Sequence, residues 1–586
     1  MYTMSRAQIR ACTKTCLMIG RKGKIMMKKT GKTKEPEWWL LALFCLCPFF
    51  YGIYYEFCGT IAFVIIAGLL LWSVRRERKL AISFDVGTTM AALLTISYLF
   101  MVIWAVDRGM AFLGFFKVAW VFLFLLGVQW LCPDSREKAL TMVPYIGVAQ
   151  CLISFVGYFI PYLQEHLYVN HRLGGFFQYP NTFAVFLLAG VIVLCEKEKM
   201  TIWDYVFTAV LMIGIGMTGS RTVFVLTVMV YLFVLFRRKN AGLLVEGILF
   251  AVAFGILLYV SKDAASIGRI TTFSLKESTF VGRILYVADA LPVLLKHPFG
   301  MGYLGYYYIQ NEIQTGVYTV RYIHNDWMQI GLDVGWIPML AYSVAVVKTW
   351  LSHNVSVRNK LILAVFVLHG LFDFDAQYTC IGVIIYLIMS EVTWKQLPER
   401  YQTVRVNRST CMIATGMMGL AAVYLTVPLM AAYFEQPEVA VKWYPWYTEE
   451  QLKLLSESED VDEVDALADQ ILAQNDTCAL AYQAKAIVAY CSDDYEGVMK
   501  WQKEAIARDP FQYDAYVEYA SMLYDGAELL QDTDPEQAQE CVEEIRNIPD
   551  YLKEAGNKVS RLGKMIDEQP QLSVDDTLSD LLNAVE

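Results

Sequence analysis

The chain has 586 residues, 56% of them hydrophobic, 14% aromatic and 18% charged, with a net charge of −9. Its apolar residues fall into blocks too long for the helices of a water-soluble domain, which excludes an ordinary soluble enzyme and predicts a polytopic membrane protein. The charge is divided: residues 437–586 hold 34 acids against 11 bases, a balance of −23, so residues 1–436 carry +14. No nucleic-acid partner is expected of either part.

Residues 1–36 form a basic segment whose first 34 residues hold ten Lys or Arg and no acid. Cations are retained on the cytoplasmic side, which places the N-terminus inside, without a cleavable signal of ordinary shape. Residues 37–435 then read as an all-α transmembrane bundle. Apolar segments lie near 38–55, 57–74, 88–106, 112–131, 141–160, 181–195, 203–217, 221–236, 243–260, 325–347, 361–375, 378–394 and 411–432, an expected twelve to fourteen crossings. Alternate loops are cationic, as at Arg75, Arg136, Lys197, Arg237, Arg358 and Arg408, and so face inward. By elimination the loops at 161–180, 218–221, 261–323 and 373–377, with everything after residue 432, face outward.

Residues 436–586 form an acidic, helical, extracytoplasmic body. "NDTCALAY" (475–482) and "DPFQYDAY" (509–516) match at an offset of 34 residues, pairing Ala481 with Ala515 and Tyr482 with Tyr516. This period resembles tetratricopeptide hairpins, two or three of which would stack into a short solenoid that binds a partner of the envelope machinery. An unrelated α-helical domain with solvated acidic faces fits the same residues. Of thirteen cysteines only Cys478, Cys491 and Cys541 lie here, an odd number without a paired framework, and no CxxC or HExxH spacing supports zinc.

Charged side chains at membrane depth are expensive, so several on one rim mark a functional site. The outward rim carries Arg172 and Asn181 in "NHRLGGFFQYPNTFA", Arg221 in "MTGSRT", Arg283 in "FVGRILYVADALPVLLKHPFGMGY", and Arg321, His324 and Asn325 at the start of the tenth segment. That segment also encloses Asp333, and "LFDFDAQ" brings Asp373 and Asp375 to the same rim. Taken singly these residues have ordinary roles: Arg221 as a snorkelling interfacial arginine, His324 as a hydrogen-bonding residue at a helix start. His166, His171 and His297 are read as loop or interface residues.

In order, however, the pieces resemble the O-antigen ligase and polymerase family of membrane glycosyltransferases. The likeness spans roughly residues 170–345 and rests on four elements. They are Gly175, Phe176, Phe177, Pro180, Asn181 and Ala184; then Ser220, Arg221 and Thr222; then Gly282 and Arg283 with His297, Pro298, Gly300 and Gly302; then His324, Asn325 and Gly335. Met328 stands where the family has Leu, and Asp333 where it has Glu, shortening the carboxylate's reach.

The resemblance implies a GT-C-like, metal-independent and inverting transferase of the bacterial cytoplasmic membrane, without a cofactor. It would move a glycan from a polyprenyl-diphosphate donor to an acceptor hydroxyl of a glycan, lipid or wall polymer at the outer face. Guanidinium groups suit a departing diphosphate because they pair with its oxygens at two points and stay charged in a poorly hydrated site. Arg221 and Arg283 are the expected diphosphate ligands, followed by Arg172 and Arg321. Imidazole titrates near neutrality and is the usual base for a hydroxyl proton, so His324 is the expected catalytic base. Asn181, Asn325, Asp333, Asp373 and Asp375 are expected to support the site. In a regular helix Asp333 lies about 13 Å beyond His324, too far to pair with it, and is expected to hold an arginine or a polar backbone break on another span. Asp373 and Asp375 could together bind a divalent ion, but are expected to pair with arginines or cap helices. A ligase, moving a finished glycan to a different acceptor, and a polymerase, joining lipid-linked repeat units, fit the motifs equally. A transporter or flippase of an anionic lipid-linked substrate is the third reading, though its charges would be expected near mid-membrane.

Overall fold

The computed structural model describes residues 35–75, 80–131, 135–260, 277–393 and 403–585. The basic stretch 1–34 and residues 261–276 of the expected outer loop lie outside them. Among the described residues the protein is all-α, with two short antiparallel strand pairs, Leu80–Ser83 against Thr403–Val406 and Tyr168–Val169 against Arg172–Leu173.

Five helices are long and apolar enough to cross a membrane: Glu56–Val74, Arg108–Trp130, Ser135–Gly157, Ser278–Lys296 and Arg408–Tyr433. Shorter apolar helices, among them Val86–Met101, Pro180–Cys195, Ile202–Thr218 and Trp336–Leu351, pack among them. The outer helices expose Ile65, Ile96, Val225, Ile413 and Leu420, whereas Pro180–Cys195 is buried along almost its whole length. Apolar residues on the outer faces as well as in the core are stable in hydrocarbon, where apolar surface need not be hidden and a helix satisfies its own backbone groups. This is a multi-pass membrane protein.

Two sequence expectations need correction. Residues 261–323 are not simply a loop, because Ser278–Lys296 is a helix of membrane-spanning length whose inward face is formed by Val281, Leu285, Val293 and Leu294. The tenth segment is not one helix either. It breaks into Asp326–Val334 and Trp336–Leu351 at Gly335, whose φ of 89° no residue with a side chain adopts comfortably. The carbonyls of Leu332 and Asp333 accept from the amides of Met301 and Gly302, and Trp336 donates its amide to Pro298. The segment from His297 to Gly302 thus satisfies the helix ends exposed by the break.

The helices define two ends of the bundle. At one, Arg408 donates to the Arg75 carbonyl, Arg136 to the Ser390 carbonyl, and Arg358 pairs with Glu137, so several of the cationic loops share a face. At the other, Tyr55 and Phe57 meet Tyr433, and the segments holding Arg172, Arg221, His324 and Asp373 converge.

The acidic C-terminal body docks on that second end. Its helices Val461–Gln474, Ala479–Cys491, Tyr495–Arg508, Tyr513–Leu530 and Pro535–Lys558 pack each on the next in chain order. The residues matched at the 34-residue offset, Ala481 with Ala515 and Tyr482 with Tyr516, are all buried near helix starts. Asn311 donates to Asp509 at 2.8 Å, Asn475 to Asp107 at 3.1 Å, and the Ser560 amide to the Thr315 carbonyl at 2.8 Å. Gly316 and Gly563 meet so closely that a methyl on Gly563 would lie 2.1 Å from the Thr315 oxygen.

Candidate functional site

The centre of the site is Asp373, in the turn between the helices Val357–His369 and Thr379–Met389. It is 1% exposed and receives four side chains from three other segments. Tyr179 donates to Oδ1 at 2.8 Å and Asn181 to Oδ2 at 2.9 Å. Arg283 reaches Oδ2 at 3.2 Å, and Nδ1 of His324 lies 3.2 Å from Oδ1. Burial alone would raise the pKa of this carboxyl, but the Arg283 guanidinium, and after it His324, hold it well below the usual carboxylate range. The buried charge is therefore both paired and hydrogen-bonded, the condition under which burying it is tolerable.

Local sequence explains how each partner arrives. Pro180 starts a helix at its first position, where its missing N–H costs nothing, so Tyr179 and Asn181 emerge on either side of that start. Asn325 caps Asp326–Val334 by accepting the Met328 amide at 3.0 Å and also donates to the Leu371 carbonyl, which fixes the approach of the neighbouring His324. Gly219, in the left-handed conformation, ends Ile202–Thr218 and turns the chain so that Arg221 opens the next helix. Arg172 uses Nε on the Thr218 carbonyl at 2.7 Å and Nη2 on Asn181 at 2.7 Å.

A cavity of about 200 Å³ opens beside this cluster, lined by Arg172, Tyr179, Asn181, Arg221, Glu277 and Arg283. Three guanidinium groups face two carboxylates here, because Glu277 grips Arg221 at two points and Asp373 pairs with Arg283. The arrangement can accept an anion with several oxygens: planar forks from three chain segments converge on one space, and Arg221 and Arg283 retain partial exposure.

Of the residues singled out in the sequence, the structure brings together Arg172, Asn181, Arg221, Arg283, His324, Asn325 and Asp373. Asp375 is a neighbour with a different role in the packing: it accepts from Thr182 at 2.7 Å and meets Nδ1 of His369 at 2.5 Å. Arg321 does not line the same space. It pairs with Glu449 of the C-terminal body at 2.5 Å and with Glu56 at 3.2 Å, and it lines a second cavity. Among the described residues Asp333 holds no arginine; Tyr98 donates to it at 2.7 Å and Gln329 at 2.8 Å, while its own carbonyl accepts from Gly302. The carboxylate thus ties Tyr98 and Gln329 to this helix, and it is the backbone carbonyl of Asp333, not its side chain, that serves the helix break. Among the described residues no group of three or more His, Cys, Asp or Glu is placed to hold a metal ion.

Sequence reasoning missed Tyr179, Glu277 and His369. Tyr179 was detectable, standing two residues before Asn181 in the same motif. Glu277 is 56 residues from Arg221, and no local pattern marks it.

Residues 206–343 match the O-antigen ligase family. That stretch contains Arg221, Arg283, Arg321, His324, Asn325 and Asp333, and it ends before Asp373. No curated protein matches the sequence.

Proposed function

Proceeding from an O-antigen ligase domain at residues 206–343, which implies membrane glycosyl transfer of ligase or polymerase type, we propose that this protein transfers a glycan from a polyprenyl-diphosphate donor to an acceptor hydroxyl at the outer face of the bacterial cytoplasmic membrane. The observation that carries the proposal is the Asp373 cluster: one buried carboxylate holds His324 and Arg283 together at the edge of a cavity lined by two further arginines.

In this reading the donor diphosphate occupies the cavity. Arg221, Arg283 and Arg172 neutralise the charge that gathers on it as the sugar departs. With Nδ1 held on the Asp373 carboxylate, His324 presents Nε2 to the acceptor hydroxyl and takes its proton as the acceptor oxygen attacks the anomeric carbon. The bond from that carbon to the diphosphate oxygen breaks, the configuration inverts, polyprenyl diphosphate leaves as an anion, and the imidazolium then returns its proton to solvent. The scheme needs no metal, since three guanidinium groups supply the positive charge a metal would bring. Asp373 and Asn181 are positioning residues.

The C-terminal body, 436–586, is assigned as a tetratricopeptide-like extracytoplasmic domain over the site, suited to an acceptor or an envelope protein. The gathering of charges at one end of the bundle favours an enzyme over a transporter with a mid-membrane site. The test is chromosomal replacement with His324→Ala, followed by analysis of lipid-linked glycans. Loss of transferred glycan with accumulation of single lipid-linked repeats identifies a polymerase, and accumulation of long chains identifies a ligase. Unchanged glycan output from a membrane-inserted variant overturns the reading.

A further inference from the structure

A second cavity, of about 330 Å³, lies where the bundle meets the C-terminal body. Its walls include Tyr54, Tyr55 and Glu56 from the start of one membrane helix, Tyr433 from the end of another, Arg321, and Glu449 from the C-terminal body. Resting on the proposed glycosyl transfer, we propose that this cavity binds an uncharged oligosaccharide, the acceptor glycan, and delivers its terminal hydroxyl toward His324.

Three observations carry the assignment. The first is the lining. Tyrosine rings offer a flat, electron-rich face to the C–H face of a pyranose while their hydroxyls and the neighbouring carboxylates meet sugar hydroxyls, so aromatic rings interleaved with acids suit a sugar better than an acyl chain. Tyr433 is 39% exposed and Tyr55 is partly open, so rings are presented rather than wholly packed away.

The second is charge. The lining cation, Arg321, is held between Glu449 and Glu56, and Glu450 adds a third carboxylate to the walls. A phosphate would meet acids whose partners are already engaged, whereas the arginine-lined cavity is built the other way. The two cavities thus divide a substrate pair by charge. Glu450 is itself held by Lys453, which donates to its Oε1.

The third is continuity with the reacting groups. Tyr54 stacks on Tyr378 with ring centres 4.9 Å apart, and Tyr378 stacks on Tyr179, a wall residue of the arginine-lined cavity, at 6.1 Å. On a parallel route Tyr54 meets Tyr322 at 5.8 Å, Tyr322 meets Phe374 at 5.8 Å, and Phe374 meets the His324 ring at 4.9 Å. A continuous run of packed rings therefore links Tyr54, in the wall of this cavity, to Tyr179, in the wall of the arginine-lined one, and to the imidazole.

The test captures the glycan in cells, where the natural acceptor is present. Benzoylphenylalanine placed at Tyr433, with Tyr55 as a second position should the first variant fail to insert, is irradiated, and the purified denatured protein is probed by periodate staining. The same label at Leu529, on an exposed face of the C-terminal body, serves as control. The expected result is a periodate-positive adduct, at least tenfold above the Leu529 control, that persists when His324→Ala is introduced. Absence of a glycan adduct at both positions, or adducts to phospholipid or protein alone, overturns the inference. Persistence of the adduct in a His324→Ala variant that still transfers glycan would refute the proposed base and leave the subsite standing; loss of transfer without any adduct would do the reverse.

Discussion

The Asp373 carboxylate lies 3.2 Å from Nδ1 of His324 although 49 residues separate them in the chain. The same carboxylate accepts from Tyr179 and Asn181 and pairs with Arg283, so a turn outside residues 206–343 organises residues inside them.

The pairing of Asp373 has a pH signature. Its folded-state pKa lies below the unfolded value, so its contribution to stability is fully present above the unfolded carboxylate range near pH 4, and is lost as pH falls through that range toward the folded value. The thermal stability of detergent-solubilised protein should exceed that of Asp373→Asn by a constant margin above about pH 5, and the margin should shrink as the pH falls below 4. A margin that grows on acidification contradicts the pairing.

Arg283→Lys keeps a positive charge but loses the planar fork that meets Asp373 on one side and the cavity on the other. Transfer should fall by about tenfold or more, with Arg221→Lys similar and Arg172→Lys smaller, since Arg172 already spends two of its donors on Thr218 and Asn181. Quantifying transferred glycan at matched membrane levels of each variant decides the order.

Glu277 occupies both arms of the Arg221 guanidinium and so competes with any anion that enters the cavity. Glu277→Gln should weaken that hold and lower the KM for the lipid-linked donor by about three- to tenfold, a change on the order of 1 kcal/mol. Steady-state kinetics on reconstituted protein gives the value; an unchanged or raised KM would mean that Glu277 orients Arg221 for the donor.

Gly335→Ala should be severely destabilising. Beyond the strain at φ 89°, a methyl there would lie 2.6 Å from the Pro298 oxygen and from the Phe299 carbonyl carbon. A cost of roughly 3 kcal/mol or more is expected from strain and overpacking together, visible as a lower unfolding midpoint, whereas Gly216→Ala, with open space at that position, should be close to neutral.

Much of the fold was legible in the sequence because a bilayer imposes a coarse rule: long apolar runs become helices, and the charged residues between them fall at the ends. Arg172, Arg221, Arg283 and His324 could be picked out as charged or titratable groups on the expected outward rim, in segments whose order resembles a family's motifs. The 34-residue offset likewise marked positions that prove to be buried at helix starts, since a repeated packing environment demands repeated side chains.

What the sequence determined by itself was thus the helical membrane class, the acidic C-terminal body and the inventory of chemistry-bearing residues. Only the tertiary structure decided the partners. It separated Arg321 from the other arginines, because Glu56 and Glu449 arrive from segments 265 and 128 residues away; it broke the tenth segment at Gly335, because the strap from His297 to Gly302 can satisfy the freed backbone groups; and it made Asp373 the centre of the site. Hydropathy acts on neighbours along the chain and survives in any window of sequence, whereas ion pairs and helix breaks are settled by groups that meet only after the bundle has closed.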